Sequence, residues 1–99
     1  MLETTLCGVT LKNPVIAASG TFGFAEEYGR LFDVGRLGGV CTKGLTLHPR
    51  QGNHGLRVWE TAAGLMNSVG LQNPGVPAFI EHELPRMRTL GTAVIANVG

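Results

Sequence analysis

Three short apolar runs of the sequence each end in residues of a kind that binds ligands. The residues at these ends are Ser19, Lys43 with Gly44, and Asn97. In barrel enzymes the active site lies at the carboxyl ends of parallel strands, so these residues would share one rim if the runs form such strands. A hydroxyl, a cation and an amide at one rim would suit an anionic ligand rich in hydrogen-bonding groups. Each residue also has an ordinary explanation, since lysine is mostly exposed and Ser and Asn often cap helices or form turns.

The runs that lead to these residues have the composition and length of strands buried on both faces. They span residues 15–18, 40–42 and 93–96. Between the first two, residues 25–32 repeat apolar side chains at three- and four-residue steps, which predicts a helix with Glu26 and Glu27 in its first turn. Strand, helix and strand in this order are typical of parallel α/β folds. A short β-hairpin, residues 2–11 with a break at Gly8, is predicted to precede them.

A second helix is predicted after Pro74, and Pro85 is expected to kink or restart it. Its predicted apolar face consists of Val76, Phe79, Ile80, Leu84, Met87 and Leu90. The connection before it, residues 45–71, is long for a loop between a strand and a helix, and such loops are usually functional. Within it, residues 57–60 are interpreted as a hairpin strand and residues 64–66 as an apolar insertion. The spacing of the strands favours part of a (β/α)8 barrel, although the pattern alone also fits a doubly wound sheet.

Composition indicates a globular α/β protein. The 99 residues are 43% hydrophobic and 15% charged, which excludes a disordered segment, and they are fewer than the ~250 of a complete (β/α)8 barrel. The net charge is +1 and the arginines are scattered, so no nucleic-acid surface is predicted. No apolar run approaches the ~18 residues of a membrane helix, and Glu3 stands where a secretory signal would be basic. The predicted compartment is the cytoplasm.

Several kinds of site are excluded by their missing motifs. Cys7 and Cys41 form no CxxC pair, and the three histidines lack the i, i+4 spacing of a helical metal site, so no metal is predicted. The dinucleotide fingerprint GxGxxG and the phosphate-binding P-loop are absent. The hydrolase motifs GxSxG and HExxH are absent as well. Fifteen glycines without a fixed period instead suggest close approach of backbone to a ligand.

Three segments in this order and spacing closely resemble dihydroorotate dehydrogenase. They are residues 11–24, residues 43–46 with Pro49-Arg50 and Gly52-Asn53, and residues 67–75. The resemblance covers essentially the whole chain. It implies a (β/α)8 (TIM) barrel that binds FMN at the strand ends and oxidises dihydroorotate to orotate in pyrimidine biosynthesis.

The resemblance also implies roles for individual residues. The implied FMN contacts are Ser19, Lys43, Gly44 and Asn97, and the implied orotate contacts are Lys43, Asn67, Ser68, Val69, Gly70 and Leu71. Lys43 would bridge flavin and substrate as the catalytic cation. A fixed cation there would stabilise the negative charge that accumulates on hydride acceptance.

Within the family, residues 22–24 and 71–75 look like the B-type. That type pairs with an iron-sulfur and FAD subunit in a heterotetramer and passes electrons to NAD. The alternative is a non-catalytic strand–helix–strand remnant, or a ligand-binding piece of a related flavin barrel such as dihydropyrimidine dehydrogenase.

The family's proton-abstracting cysteine is expected beyond Gly99, downstream of the strand that ends at Asn97. Cys41 cannot replace it, because it lies inside a predicted strand. Residues 1–99 are therefore predicted to be the N-terminal portion of a single barrel domain, inactive alone.

Overall fold

The computed structural model describes residues 2–99 as an α/β fold, the predicted class. Its strands are β1 Thr4–Leu6, β2 Val9–Leu11, β3 Ile16–Ala17, β4 Gly39–Cys41, β5 Val58–Thr61, β6 Gly64–Asn67 and β7 Ala93–Ile95. Its helices are α1 Glu26–Gly29, a 3-10 helix Val34–Arg36, α2 Val76–Ala78, a π-helix Phe79–Glu83 and α3 Leu84–Met87. The strands form three separate sheets, of which only the sheet β3-β4-β7 is parallel.

The parallel sheet contains the three apolar runs in the order β3-β4-β7. Strand β4 is therefore in the middle, between β3 and β7. Its register pairs Ile16 with Gly39 and Val40 with Val94. The expectation that all three strands are buried on both faces is wrong for β3 and β7, whose residues are half-buried. Only β4 has a strand on each side, and Val40 is fully buried.

The β1–β2 pair is antiparallel, with Leu6 opposite Val9. Cys7 and Gly8, the two residues of its turn, both have positive φ, at 50° and 79°. Turns of this kind match the twist of the flanking strands, and glycine adopts such a φ without steric cost.

The first helix is much shorter than predicted. Residues 25–32 were expected to be helical, whereas α1 has four residues and ends at Gly29. Ala25 precedes α1 in the left-handed conformation, at φ 68°, which is incompatible with a helix. Gly29 then weakens any extension, since glycine costs about 1 kcal/mol relative to alanine in a helix. Leu31, on the predicted apolar face, is consequently 78% exposed.

The second helical segment is interrupted in front of Pro85, as predicted. The N–H of Leu84 donates to the carbonyl of Phe79 five residues back, which defines a π-turn. Proline has no N–H and its ring crowds the carbonyl four residues back, so a wider turn relieves the conflict. Phe79 and Met87 are buried as predicted, whereas Ile80 is exposed. None of the helices within residues 2–99 has the length and apolar composition needed to cross a bilayer.

The buried core lies between β4 and the second helical segment. Its fully buried members are Ala25, Val34, Val40, Leu45, Phe79 and Met87. Val40 and Leu45 flank Lys43 and Gly44 in sequence, so the core anchors the chain on both sides of the predicted catalytic position.

The long connection carries a second antiparallel pair, β5–β6, in which Trp59 faces Met66 in the register. Residues 64–66, interpreted as an apolar insertion, are instead the start of the return strand β6, and every residue of β5 and β6 is exposed. Two apolar stretches joined by a tight turn can pair with each other as a hairpin. The periodicity within either stretch does not show this pairing.

Candidate functional site

Ser19 and Asn97 meet at the carboxyl edge of the parallel sheet, although 78 residues separate them in sequence. The Nδ2 of Asn97 donates to the Oγ of Ser19 at 3.2 Å. The backbone N–H of Asn97 donates to the Oγ1 of buried Thr42 at 3.1 Å. Because β3 and β7 flank β4, the Ser19–Asn97 contact reaches across the end of β4, close to Gly44.

Gly44 is a position where the side chain of Leu71 would have to move to admit a Cβ. A Cβ there would lie 2.7 Å from the Cδ1 of Leu71 and 3.5 Å from the Nδ2 of Asn97. The chain beyond Gly44 is fixed by parallel pairing, since the N–H of Leu45 donates to the carbonyl of Asn97 at 2.8 Å. The bare backbone of Gly44 therefore lets Leu71 and Asn97 approach the same strand end.

Lys43 is held through its backbone and half-buried through its side chain. Its N–H donates to the carbonyl of Gly23 at 3.2 Å, and its carbonyl accepts from the Oγ1 of Thr42 at 2.9 Å. The residue lines a cleft of about 480 Å³ together with Phe24, Arg50, Gln72 and Glu83, among others. None of the three ion pairs within residues 2–99 includes Lys43, so its ammonium is available to a ligand.

The predicted orotate contacts do not all lie beside Lys43. Leu71 packs over Gly44, but Asn67 and Ser68 line a separate cleft with Trp59 and Met66. Asn67 is the last residue of β6 and is exposed. Within residues 2–99 no hydrogen bond joins Lys43 to residues 67–71. The structure thus brings Ser19, Gly44, Asn97 and Leu71 together. Lys43 precedes Gly44 but lines a different cleft, and Asn67 and Ser68 lie in a third place.

Leu71 has a strained backbone conformation. Its φ is 56°, a left-handed value that costs a non-glycine residue roughly 1–2 kcal/mol. The carbonyl of Leu71 accepts from the Nδ2 of Asn73 at 2.9 Å. Strain of this sort persists only where surrounding contacts hold it, and it clusters at ligand sites.

Asn73 is a buried residue to which the sequence reasoning assigned no role. Its Oδ1 accepts from the N–H groups of Thr46 at 3.1 Å and Gly75 at 2.9 Å. Its Nδ2 donates to the Oγ1 of Thr46 at 3.0 Å as well as to Leu71. The amide side chain therefore ties the segment of predicted orotate contacts to the chain just after Lys43 and Gly44. The only sequence signal is an asparagine before proline, which is typical of a turn.

Comparison with known proteins finds relatives that belong to one family. The family model of dihydroorotate dehydrogenase matches residues 1–99. A dihydroorotate dehydrogenase B (NAD(+)) catalytic subunit from Petrotoga mobilis is 57% identical over 100 residues, covering 99% of this chain and 33% of the relative. The protein of the same name from Caldicellulosiruptor bescii is 56% identical over 97 residues, covering 98% of this chain and 32% of the relative.

A relative from Solibacter usitatus carries the name of a different type. It is provisionally named dihydroorotate dehydrogenase A (fumarate) and is 55% identical over 97 residues, covering 98% of this chain and 32% of the relative. This chain spans about a third of the length of these curated relatives. The resemblance that the three segments indicated is confirmed along the whole chain, and the chain belongs to the dihydroorotate dehydrogenase family.

Proposed function

We propose that these residues form part of the (β/α)8 barrel of an FMN-dependent dihydroorotate dehydrogenase, which oxidises (S)-dihydroorotate to orotate in pyrimidine biosynthesis. Family membership supports the reaction. The observation that carries the proposal is the contact of Ser19 with Asn97 beside Gly44 at the carboxyl ends of three parallel strands. Ligands of parallel α/β enzymes bind at this edge.

The residues at this edge suit a flavin. Ser19 and Asn97 offer a hydroxyl and an amide, and Gly44 keeps the strand end free of a side chain. Lys43 offers an ammonium that forms no ion pair with residues 2–99. Gly20, with φ 88° and nothing near its Cβ position, leaves open space next to Ser19. When bound, FMN would supply the hydride acceptor for the oxidation.

Lys43 has the role of a fixed cation in this proposal. Its ammonium would stabilise negative charge as hydride is transferred, and its backbone is anchored on both sides. The proton-abstracting cysteine implied by the resemblance lies downstream of β7. Cys41 is the last residue of β4, two positions before Lys43, where the resemblance assigns no base, and Cys7 lies in the β1–β2 turn.

Residues 67–71 would bind the pyrimidine. Asn67 offers an exposed amide, and Leu71 packs against Gly44 next to the flavin contacts. The substrate would lie between this segment and Lys43, which explains why neither cleft alone contains all the predicted residues.

The route of the electrons is proposed from the names of the relatives and from residues 22–24 and 71–75. Most of the similar relatives named above are B-type NAD(+) catalytic subunits, which supports NAD as acceptor through a partner subunit that carries iron-sulfur and FAD groups. The A-type relative is nearly as similar, so the acceptor assay needs both NAD, with the partner subunit present, and fumarate. The cytoplasmic location stays a prediction.

The proposed function is tested with the full-length enzyme that contains these residues. Purified under native conditions, it should show the absorption spectrum of bound flavin, and dihydroorotate added without oxygen should bleach that spectrum as orotate forms. A colourless protein, or a yellow protein that dihydroorotate fails to bleach, would contradict the proposal and favour a non-catalytic or differently specific flavin barrel.

Asn67→Ala in the same enzyme should weaken orotate binding and leave FMN bound. An amide can both donate to and accept from a pyrimidine ring, and losing one such partner typically costs about 1–3 kcal/mol. Titration of orotate against the flavin spectrum measures the Kd, and the ratio of flavin to protein measures cofactor retention. Loss of flavin with unchanged orotate affinity would contradict this prediction and would place Asn67 at the flavin instead of the pyrimidine.

A further inference from the structure

Asn53 lies in the long connection and makes three hydrogen bonds to the predicted pyrimidine segment. Its Nδ2 donates to the carbonyl and to the Oγ of Ser68, both at 2.9 Å. Its backbone N–H donates to the carbonyl of Val69, also at 2.9 Å. One residue therefore holds two successive carbonyl groups of the segment.

Holding these carbonyls sets the direction of the N–H groups in the same peptide units. The peptides of residues 2–99 are trans, so each N–H points opposite to the carbonyl of its own unit. The N–H groups of Val69 and Gly70 consequently point away from Asn53. Within the described chain neither N–H has a protein acceptor, which leaves two adjacent donors free for a ligand.

The segment around Asn53 and the predicted pyrimidine segment lie so close together that a side chain would clash at two glycines. A Cβ on Gly70 would lie 2.7 Å from the Cγ of Asn53, and a Cβ on Gly52 would lie 2.3 Å from the carbonyl oxygen of Val69. Both glycines have positive φ, at 83° and 81°. The N–H of Ser68 adds a further hydrogen bond to the carbonyl of Arg57 at 2.7 Å. The contact is thus made largely of backbone, which can hold a peptide group in one orientation.

We propose that Asn53 is a positioning residue for the pyrimidine site: it orients the peptide groups of residues 68–70 so that the N–H groups of Val69 and Gly70 face an acceptor on the substrate. This inference rests on the proposed function. Asn53 itself does not touch the substrate. Because Asn53 and Ser68 are both exposed, water can replace their hydrogen bonds, so the contribution of Asn53 is to orientation more than to stability.

The test compares Asn53→Ala with Asn13→Ala in the full-length enzyme. Asn13 is a matched control, since its Nδ2 donates to the carbonyl of Arg36 at 2.8 Å and its Oδ1 accepts from the N–H of Val15, in front of β3 and away from residues 67–71. Asn53→Ala should raise the Kd of orotate and the KM of dihydroorotate about tenfold, because the peptide between Ser68 and Val69 loses the Nδ2 that orients it and the misplaced N–H of Val69 loses most of its interaction. The backbone N–H of residue 53 still holds the carbonyl of Val69 in this variant. FMN content should match the wild type. Asn13→Ala should change neither constant.

Hydrogen exchange of the ligand-free enzyme provides a readout that does not depend on turnover. Exchange in peptides that cover residues 67–71 should accelerate in Asn53→Ala, because the hydrogen bond from the N–H of Ser68 to the carbonyl of Arg57 opens more often once Asn53 no longer holds Ser68. Exchange should be unchanged in Asn13→Ala. Asn53→Asp, which keeps the size and the backbone N–H but loses the Nδ2 donor, should give the same changes and decides the result if Asn53→Ala misfolds.

The outcomes separate this inference from the proposed function. Orotate affinity within about twofold of wild type in the folded variants would overturn the role of Asn53, whatever the exchange rates. A wild-type enzyme that fails to bind orotate, with exchange still accelerated in Asn53→Ala, would overturn the proposed function and leave Asn53 as the residue that orients this segment.

Discussion

Replacing Lys43 with alanine in the full-length enzyme should lower the rate of flavin reduction by dihydroorotate by a factor of ~10²–10³, which corresponds to about 2.7–4 kcal/mol in the barrier. The ammonium has no ion-pair partner within residues 2–99, and its backbone is held by Gly23 and Thr42. These hydrogen bonds fix the backbone from which the ammonium extends, and a cation near the developing charge lowers the barrier. Stopped-flow absorbance without oxygen isolates this step from later electron transfer.

Lys12→Ala is the matched control for this substitution. The ammonium of Lys12 donates to the carbonyls of Gly35 and Gly91, at the opposite end of the parallel strands from Lys43. Its loss should lower the melting temperature but leave the rate of flavin reduction unchanged. His48→Ala and His82→Ala should also have little effect on that rate. A Lys43→Ala enzyme within about tenfold of the wild-type rate would remove Lys43 from the mechanism.

The parallel sheet could be predicted because its strands are short apolar runs that end in polar residues. Residues 15–18 and 93–96 each contain a strand of the sheet, and residues 40–42 overlap β4, which begins and ends one residue earlier. A buried strand needs only a local run of apolar side chains, which sequence displays directly. The position of Ser19 and Asn97 at one edge then followed from parallel topology, and their hydrogen bond agrees with it.

The first helix and the β5–β6 pair were predicted less well, since other parts of the chain determine them. Residues 25–32 have helical periodicity, but Ala25 is fully buried and has a left-handed conformation that does not continue a helix. Residues 64–66 look like an insertion until their pairing with β5 is known. Periodicity reports the preference of one stretch for a helix or a strand. Tertiary contacts can override that preference.

The roles of Asn53 and Asn73 could not be read from sequence at all. Each side chain acts on backbone groups that lie elsewhere in the chain, Asn53 on residues 15 positions away and Asn73 on Thr46, 27 positions away. Asparagine before proline or beside glycine is ordinary turn composition. Their contacts depend on which segments of the chain lie side by side, and only the three-dimensional structure shows that.

The largest effect on stability is expected from a substitution at Gly38. This residue immediately precedes β4 and lies against Asn13, in the segment before β3. A Cβ there would lie 1.9 Å from the carbonyl oxygen of Asn13 and 2.9 Å from its carbonyl carbon. These are backbone atoms, and the segment cannot retreat easily because the N–H of Gly38 donates to the carbonyl of Val15 at 2.9 Å. The close approach fixes the register of Ile16 with Gly39, and through it the position of Ser19 beside Asn97.

Gly38→Ala should therefore destabilise the full-length enzyme by about 3 kcal/mol, the upper range for forcing a methyl group into a packed interior. The apparent melting temperature should fall by roughly 5–10 °C, and bound flavin should be lost as Ser19 is displaced. Gly29→Ala is the control, since a Cβ on Gly29 meets nothing within 4 Å and alanine favours its helix. Scanning calorimetry with the flavin-to-protein ratio measures both effects. A Gly38→Ala enzyme that melts with the wild type and keeps its flavin would show that β3 and β4 can separate without cost, and that their register does not hold the site.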